Sequence, residues 1–328
     1  MPRASVTICQ HEEVVAASGV RISWTQLPAR VRAGIEAIIG GGVIATAVSQ
    51  PGGFSPGTAD RVVTANGRRA FVKAVSSIQN ERSPSLHRAE ANVVGQLPSN
   101  SYVPALLGIY DDGAWVGLVF EDLDGHTPAL PWSAADLEAA MTTLRRMAEE
   151  FTPNPVPNLP SVTSFYAAVF AGWERIRTVP PADPDPWAWA WAWQHLDDLC
   201  RLAARGLASL AGDSLLHTDI RADNLLIRKD GTVAVVDWPW ACTGAAWFDQ
   251  LLLCVNVDLY GGYDPEKLVL HYLETVNRDD ITAVLAGLCG YFTDVARQPP
   301  DPGLPTVRAF QRAQARSTLT WLRRRCSR

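Results

Sequence analysis

Apolar positions in the first third of the chain follow two different periods. Between Thr25 and Ile39 they recur at helical spacing, and the stripe ends at Gly40. Apolar runs typical of strands follow, and Asn66-Gly67 between two of them is a strong hairpin signal. A helical segment, residues 86–97, interrupts this series. We therefore predict a five-stranded antiparallel sheet with one helix, with strands over residues 43–50, 61–65, 70–75, 102–110 and 114–120.

The rest of the chain has mainly helical patterns. Ser133 is a suitable N-cap, and apolar residues then keep a helical period to Phe151. The Trp-Ala alternation at residues 187–193 looks like a strand, but helical spacing continues to Leu210, so we interpret it as the start of a helix. Its tryptophans either pack against neighbouring helices or form an aromatic wall for a substrate. Further helices are expected at residues 162–177, 246–257, 265–276, 281–298 and 304–325.

A polar cluster lies between apolar runs in residues 215–237. Asp219 follows His217 by two residues and precedes Asn224 by five, while Asp237 ends the next predicted strand. Asp and Asn often do no more than cap a turn. The set also matches what phosphoryl transfer requires, because that reaction depends mostly on positioning and charge neutralisation. Asp219 can orient and deprotonate a hydroxyl, and Asn224 and Asp237 can supply the hard oxygen ligands that Mg²⁺ prefers.

These residues resemble those of a known family. The pattern His217-x-Asp219-x4-Asn224, followed by Val236-Asp237-Trp238, resembles the kinase-like antibiotic phosphotransferases, the aminoglycoside phosphotransferase family. The resemblance implies an α+β, bilobal, protein-kinase-like fold. It implies an N-terminal nucleotide-binding lobe over residues 1–121 and a mainly helical catalytic and substrate-binding lobe over residues 122–328. His217 would brace the catalytic loop, and Asp249 matches a structural Asp of the family.

Candidate nucleotide-binding residues lie in the predicted sheet. Lys73 is flanked by apolar residues, which indicates a buried strand and a reason for its charge, and Glu90 is its natural partner. The resemblance implies that this pair aligns the α- and β-phosphates. It also implies a hinge at Glu121 and Leu123, whose backbone groups would pair with the purine edge. The connection at residues 51–57 is either a simple turn or a phosphate-covering loop, with Gly52, Gly53, Phe54 and Ser55 as its binding residues.

Three positions depart from the family pattern. Thr218 replaces the common glycine, Arg221 stands where the family often has His or a small group, and Pro239-Trp240 follow the metal motif. None of the three removes a phosphoryl-transfer group. Two interpretations of Arg221 are open. In the first, Arg221 orients the substrate or neutralises a phosphate. In the second, it forms a salt bridge with Asp223 or another local carboxylate.

Composition and charge narrow the class of protein. The chain has 328 residues, 47% of them hydrophobic and 19% charged, which suits a globular protein with two lobes. A net charge of -5 disfavours a nucleic-acid partner. Six cysteines without paired spacing are expected to be reduced. No run has the length of a membrane span, and the N-terminus carries no cleavage signature, so we expect a cytoplasmic protein with no membrane partner.

The leading hypothesis is an antibiotic O-phosphotransferase that requires Mg²⁺ and either ATP or GTP. It would phosphorylate a small hydroxylated acceptor, an aminoglycoside-like, nucleoside or peptide antibiotic, and so give resistance. A protein kinase is disfavoured, since Asp237-Trp238-Pro239 is not the Asp-Phe-Gly switch. The alternatives are a metabolic sugar or amino-alcohol kinase and a non-catalytic nucleotide-binding module. The sequence leaves open the acceptor, the choice between ATP and GTP, and the oligomeric state.

Overall fold

The structure is a computed structural model. It describes residues 20–50, 53, 56–99, 102–180, 186–300 and 304–327, and within these residues 186–189 are described by their backbone only.

An antiparallel five-stranded sheet dominates the N-terminal part, as predicted. Its strands run in the order β1-β2-β3-β5-β4, and two helices accompany them, α1 (Ala29–Ile39) and α2 (Ser83–Val94). The strands are β1 (Ile44–Ser49), β2 (Thr58–Thr64), β3 (Arg69–Ser76), β4 (Leu106–Asp111) and β5 (Trp115–Phe120).

The two faces of β3 explain why a lysine stands in a buried strand. Side chains alternate across a strand, and Val72 and Ala74 pack into the apolar cluster under α1. Phe71 and Lys73 therefore point to the opposite face, where they line a cleft. Lys73 pairs with Leu118 of β5 on one side and Ala59 of β2 on the other, so it lies in the middle of the sheet.

The remaining chain is mainly helical, which confirms the predicted fold class. Ten helices follow β5 in the part of the chain that the structure describes. They are α3 (Ala134–Glu150), α4 (Val162–Phe165), α5 (Ala167–Phe170), α6 (Gly172–Thr178), α7 (Pro186–Gln194), α8 (Leu196–Ser209), α9 (Phe248–Tyr260), α10 (Pro265–Tyr272), α11 (Arg278–Ala296) and α12 (Val307–Cys326). The lobe boundary at residue 121 stays a prediction.

Two predicted helices are interrupted. The helix expected over residues 162–177 breaks at Tyr166 and Ala171 into α4, α5 and α6. Gly172 begins α6 where a Cβ would lie 2.3 Å from the backbone of Gly290 in α11, so the chain turns where the two backbones meet. The helix expected from residue 187 to Leu210 breaks at His195, whose ring Nδ1 lies 2.8 Å from the Trp191 carbonyl and competes for that acceptor.

The tryptophan segment is a helix, as interpreted from the sequence. Trp191 stacks on His195 with ring centroids 4.6 Å apart, and the Arg323 guanidinium lies 5.8 Å from its ring. Trp193 is 48% exposed. Neither of these two side chains lines the cleft described below, so the packing interpretation fits Trp191. The side chains of Trp187 and Trp189 lie outside the described residues.

Two small sheets carry the predicted polar cluster. β7 (Ser214–Leu216) pairs with β10 (Cys242–Gly244), and β6 (Gly125–His126), β8 (Leu225–Arg228) and β9 (Val233–Val235) form a second sheet in the order β6-β8-β9. Strands β6 and β10 are too short for a pattern of alternation, and sequence analysis missed them. Among the described helices, none is both long and apolar enough to cross a membrane.

Candidate active site

The loop between β7 and β8 is braced by His217, as predicted. The His217 ring is buried, and its Nε2 lies 3.0 Å from the Val236 carbonyl while Nδ1 accepts the Asp219 amide at 3.2 Å. A carbonyl can only accept, so Nε2 carries the hydrogen. Burial lowers the pKa of His217 and keeps the ring neutral. The ring therefore ties the loop to the residue before Asp237.

Thr218 adopts a left-handed backbone conformation with a φ of 66°, which a β-branched residue rarely adopts. The two carboxylate oxygens of Asp249 accept the amides of His217 and Thr218, at 2.7 and 2.9 Å. The Thr218 hydroxyl donates to the Trp240 carbonyl, and the Tyr166 hydroxyl donates to the Thr218 carbonyl, both at 2.8 Å. These bonds offset the strain and let Thr stand where the family pattern commonly has Gly.

Asp219 lies at the centre of a hydrogen-bonded group of polar side chains. Arg221 Nη1 donates to both Asp219 oxygens at 2.9 and 3.0 Å, and Arg221 Nε and Nη2 donate to Asp223 at 2.9 and 3.0 Å. The Asn224 amide nitrogen binds the Asp219 carbonyl at 2.8 Å and its carboxylate at 3.2 Å. Arg221 thus forms the local salt bridge of the second interpretation, with two carboxylates. Its catalytic role stays a prediction.

The electrostatic environment raises the pKa of Asp219 to about 6. Burial is the largest cause, and the charges of Asp223 and Asp237 add to it. Arg221 opposes this shift because its positive charge favours the carboxylate. Burial also disfavours the charge on Arg221, but Asp219 and Asp223 outweigh that effect and raise the pKa of the guanidinium. Asp219 is therefore ionised near pH 7 while being more basic than an ordinary Asp.

Lys73 joins the sheet to the polar cluster. Its ammonium donates to both Glu90 oxygens at 2.8 and 3.0 Å and to Asp237 Oδ1 at 2.8 Å. The predicted Lys73–Glu90 pair is thus confirmed, and Asp237 is a further partner. Burial would raise the pKa of Asp237, but Lys73 outweighs it and lowers that pKa to about 2. Asp237 has a φ of 70°, so a second strained residue lies in this site.

These groups border a cleft of about 440 Å³. Lys73, Glu90, Asn224 and Asp237 all line it. Asp219 is not among the lining residues, but it is bound to Asn224, which is. The structure therefore brings together the predicted base, the predicted metal ligands and the Lys–Glu pair.

The predicted hinge lies at the same cleft, where Glu121 and Leu123 are lining residues. The Glu121 amide donates to the Ala105 carbonyl at 2.9 Å, and the Glu121 carboxylate accepts the Ala105 amide at 3.0 Å. Because the side chain takes the bond that the main-chain carbonyl would take in a regular ladder, no described backbone amide donates to that carbonyl. The Asp122 carboxylate forms ion pairs with Arg61 and Arg69.

The predicted phosphate-covering loop is described only in part. Gly53 lines the cleft and has a φ of 74°, which glycine adopts without cost. Gly52, Phe54 and Ser55 lie outside the described residues, and their binding roles stay predictions.

Sequence analysis missed several residues of the cleft, among them His87 and Arg21. His87 precedes Glu90 by one helical turn on α2 and is buried at the cleft. Its spacing of three from Glu90 was a usable signal, since such residues share a helix face. Arg21 lines the cleft from the segment before α1, and no sequence pattern indicated it.

The residues fit a magnesium ion that is shared with a nucleotide. Within the described ranges, no group of three or more His, Cys, Asp or Glu side chains could hold a metal by itself. Mg²⁺ usually needs only one or two protein oxygens, together with phosphates and water. The Asp237 carboxylate and the Asn224 side-chain oxygen provide this donor set at one wall of the cleft. The hydrogen bond from the Val236 amide to the Asn224 carbonyl, at 3.0 Å, keeps the two segments together.

Comparison with known protein families gives one clear result. Residues 52–281, more than half of the chain, match the model of the phosphotransferase enzyme family. This range contains the polar cluster, Lys73, Glu90 and the predicted hinge. No curated protein sequence matches the chain.

Several solved structures share the fold. A spectinomycin phosphotransferase in complex with ADP and spectinomycin is 12% identical, with a TM-score of 0.57 over 92% of this chain and 100% of that one. An aminoglycoside phosphotransferase with ADP and hygromycin B is 13% identical, with a TM-score of 0.58 over 90% and 99%. Choline kinase from Streptococcus pneumoniae is 16% identical, with a TM-score of 0.55 over 89% and 98%. At these identities the likeness concerns the fold.

Replacing Asp249 by Asn should disorganise the loop that holds Asp219. An amide has one acceptor oxygen, so one backbone N–H of the turn would face an NH₂ group and stay unsatisfied. We expect the free energy of unfolding to fall by about 2–3 kcal/mol and the transfer rate of the folded protein to fall about 10- to 100-fold. Chemical unfolding and a phosphate-transfer assay below the melting temperature measure the two effects.

Asp294→Asn is the matched control for Asp249→Asn. Asp294 on α11 is also buried and pairs with Arg175 and Arg297, away from the cleft. This control should lose stability and keep the transfer rate. A wild-type rate in the Asp249 variant would show that Asp249 does not position the loop.

His87 should make stability depend on pH. Burial, with a further contribution from Lys73, lowers the pKa of His87 to about 3, whereas the pKa of a histidine in an unfolded chain is about 6.5. Between these values only the unfolded chain binds the proton, so stability is lost as the pH falls below about 6.5. Between pH 7 and pH 5 this proton uptake lowers the free energy of unfolding by about 2 kcal/mol. Unfolding curves of the wild type should therefore show a steeper pH dependence than those of His87→Gln, and equal slopes would contradict the assignment.

Proposed function

The chain belongs to the phosphotransferase enzyme family, and we propose that it is a magnesium-dependent O-phosphotransferase that moves the γ-phosphoryl group of ATP or GTP to a hydroxyl of a small-molecule antibiotic. The observation that carries this proposal is the continuous set of contacts from Asp219 through Asn224 to the cleft that holds Asp237 and Lys73. A base, an oxygen ligand set and a phosphate-binding cation lie within one site, as the reaction requires.

The nucleotide would lie in the cleft with its base at the hinge. The main-chain carbonyl of Glu121 and the backbone of Leu123 would form hydrogen bonds with the purine edge. The Lys73 ammonium, held by Glu90, would bind the phosphate oxygens nearest the sheet. When bound, Mg²⁺ supplies charge neutralisation to the β- and γ-phosphates. Asp237 and Asn224 would hold it through their side-chain oxygens.

The proton of the acceptor hydroxyl would pass to Asp219. The acceptor oxygen forms a bond to the γ-phosphorus, the bond from that phosphorus to the bridging oxygen breaks, and the nucleoside diphosphate leaves. A pKa of about 6 suits this role, because the carboxylate is charged at neutral pH and still basic enough to take the proton. Arg221 and Asn224 would keep Asp219 turned towards the hydroxyl.

Two aromatic side chains beside the catalytic loop support an acceptor with a ring system. Phe165 and Trp240 lie with ring centroids 6.2 Å apart, and Phe165 is 37% exposed. Trp240 is bound to the loop through its carbonyl, which accepts the Thr218 hydroxyl. Aromatic faces of this kind bind flat or apolar rings. Arg221 also neutralises much of the charge of Asp219 and Asp223, so this side of the site is less anionic than its carboxylates alone suggest.

The test is a transfer assay with product mass as the readout. The protein is incubated with Mg²⁺ and either ATP or GTP, against aminoglycoside, nucleoside, peptide and macrolide antibiotics, with choline and simple sugars as metabolic acceptors. We expect one added phosphate on members of a single antibiotic class. Phosphorylated choline or sugar in place of an antibiotic product would instead favour a metabolic kinase.

Asp219→Asn should separate chemistry from binding. The amide cannot accept the proton, so the transfer rate should fall about 10²- to 10⁴-fold while the nucleotide affinity stays close to that of the wild type. Asp223→Asn is the matched control, because Asp223 binds the same arginine and, although it lines the cleft, lies outside the proposed proton path. Its rate should fall far less. An Asp219 variant with nearly the wild-type rate, or an Asp223 variant that is equally inactive, would rule out this base.

A further inference from the structure

Arg21 reaches the cleft although it lies before the first helix. Residues 20–22 run beside the end of the glycine-rich connection, with a parallel bridge between Arg21 and Gly57. The Ile22 amide donates to the Gly57 carbonyl at 3.1 Å, and the Gly57 amide donates to the Val20 carbonyl at 3.3 Å. A Cβ at Gly57 would lie 2.4 Å from the Ala74 carbonyl of β3, so this segment is pressed against the sheet. The backbone of Arg21 is thus fixed beside the cleft.

The side chain of Arg21 lies among the groups proposed to bind the nucleotide. Its Nη2 is 3.1 Å from the position that a Cβ on Gly53 would take, so the guanidinium lies beside Gly53. It lines the same cleft as Lys73 and Asp237. Burial, the larger effect, lowers the pKa of Arg21, while the charges of Asp237 and Asp60 favour its charged form. An arginine stays protonated under such conditions.

Asp60 provides a fixed negative charge for this arginine. It is fully buried on β2, and its two oxygens accept hydroxyl groups from Ser49 and Thr58. A buried carboxylate is unfavourable unless opposite charge and hydrogen bonds accompany it. The charges of Asp237 and Asp60 thus favour a charged guanidinium at this place before any ligand binds.

Lys73 alone has few free donors for a triphosphate. Its ammonium has three hydrogens, and the structure shows three bonds, two to Glu90 and one to Asp237. A guanidinium carries five donors in a planar fork that suits phosphate oxygens. A second cation at this cleft would therefore add phosphate contacts that Lys73 cannot make.

We propose that Arg21 is a second phosphate-binding residue, which binds the β- and γ-phosphate oxygens of the donor nucleotide together with Lys73. Those phosphates are the ones next to the metal that Asp237 would hold. This inference rests on the proposed function, because it concerns the same nucleotide site. The segment before α1 would thus contact the donor nucleotide directly.

Calorimetric titration tests the proposal without requiring an acceptor. Wild type and Arg21→Met are titrated with ATP and with GTP, with the corresponding diphosphates and with the corresponding nucleosides, all in the presence of Mg²⁺. Affinity for the triphosphate and the diphosphate should fall about 10- to 100-fold, the effect of losing charge-assisted bonds. Affinity for the nucleoside should not change. Arg21→Lys should give an intermediate affinity, because a lysine keeps the charge and loses the fork.

Two further variants keep the test interpretable. Arg30→Met removes an exposed arginine that pairs with Asp112 away from the cleft, and all three affinities should stay at wild-type values. If Arg21→Met is unstable because Asp60 has lost its counter-charge, Arg21→Met with Asp60→Asn removes both charges. The double variant should fold and show the same selective loss of triphosphate affinity.

Two results would overturn the inference while leaving the proposed function intact. The first is unchanged triphosphate affinity in a folded Arg21 variant. The second is an equal loss for nucleoside and triphosphate, which would mean that Arg21 only supports the structure of the cleft. A wild-type protein that binds neither ATP nor GTP would overturn the proposed function itself, and the inference with it.

Discussion

The ion pair between Lys73 and Asp237 is the contact on which the site depends. The two residues are 164 positions apart, and their bond joins the middle of the sheet to the polar cluster after β9. Lys73 also pairs with Glu90 of α2, whose side chain is almost fully buried, whereas the Asp237 side chain is 30% exposed. Without Lys73, the Glu90 carboxylate would be buried without its counter-charge, which is unfavourable. The Lys73 ammonium therefore links the sheet, α2 and the segment after β9.

The catalytic loop, in contrast, is held by polar bonds from distant helices. Asp249 at the start of α9 binds two of its amides, and Tyr166, at the break between α4 and α5, binds a carbonyl. A buried loop needs partners for its backbone groups, because unsatisfied ones are costly. The helical part of the chain thus supports the chemistry by satisfying and fixing a strained loop. Thr218, whose φ is positive, receives two of these three bonds.

The charges divide the site into two sides that Asn224 connects. On the cleft side, Lys73 and Arg21 face Glu90, Asp237 and Asp60, an arrangement suited to phosphates and a divalent cation. Next to these groups, Arg221 pairs with Asp219 and with Asp223, which also lines the cleft, and two aromatic rings lie beside the loop. Asn224 lines the cleft and binds Asp219, so it lies where donor and acceptor would meet.

The sequence by itself determined the local features, because they depend on residue period and spacing. It determined the five strands, the helical second part and the polar cluster at residues 217–237, while the family resemblance indicated the Lys73–Glu90 pair. Tertiary structure alone decided which distant groups meet. Arg21 reaches the cleft through a bridge to Gly57, and Tyr166 breaks a predicted helix where its hydroxyl binds Thr218. No local period encodes such contacts, since they arise from the packing of segments far apart in the chain.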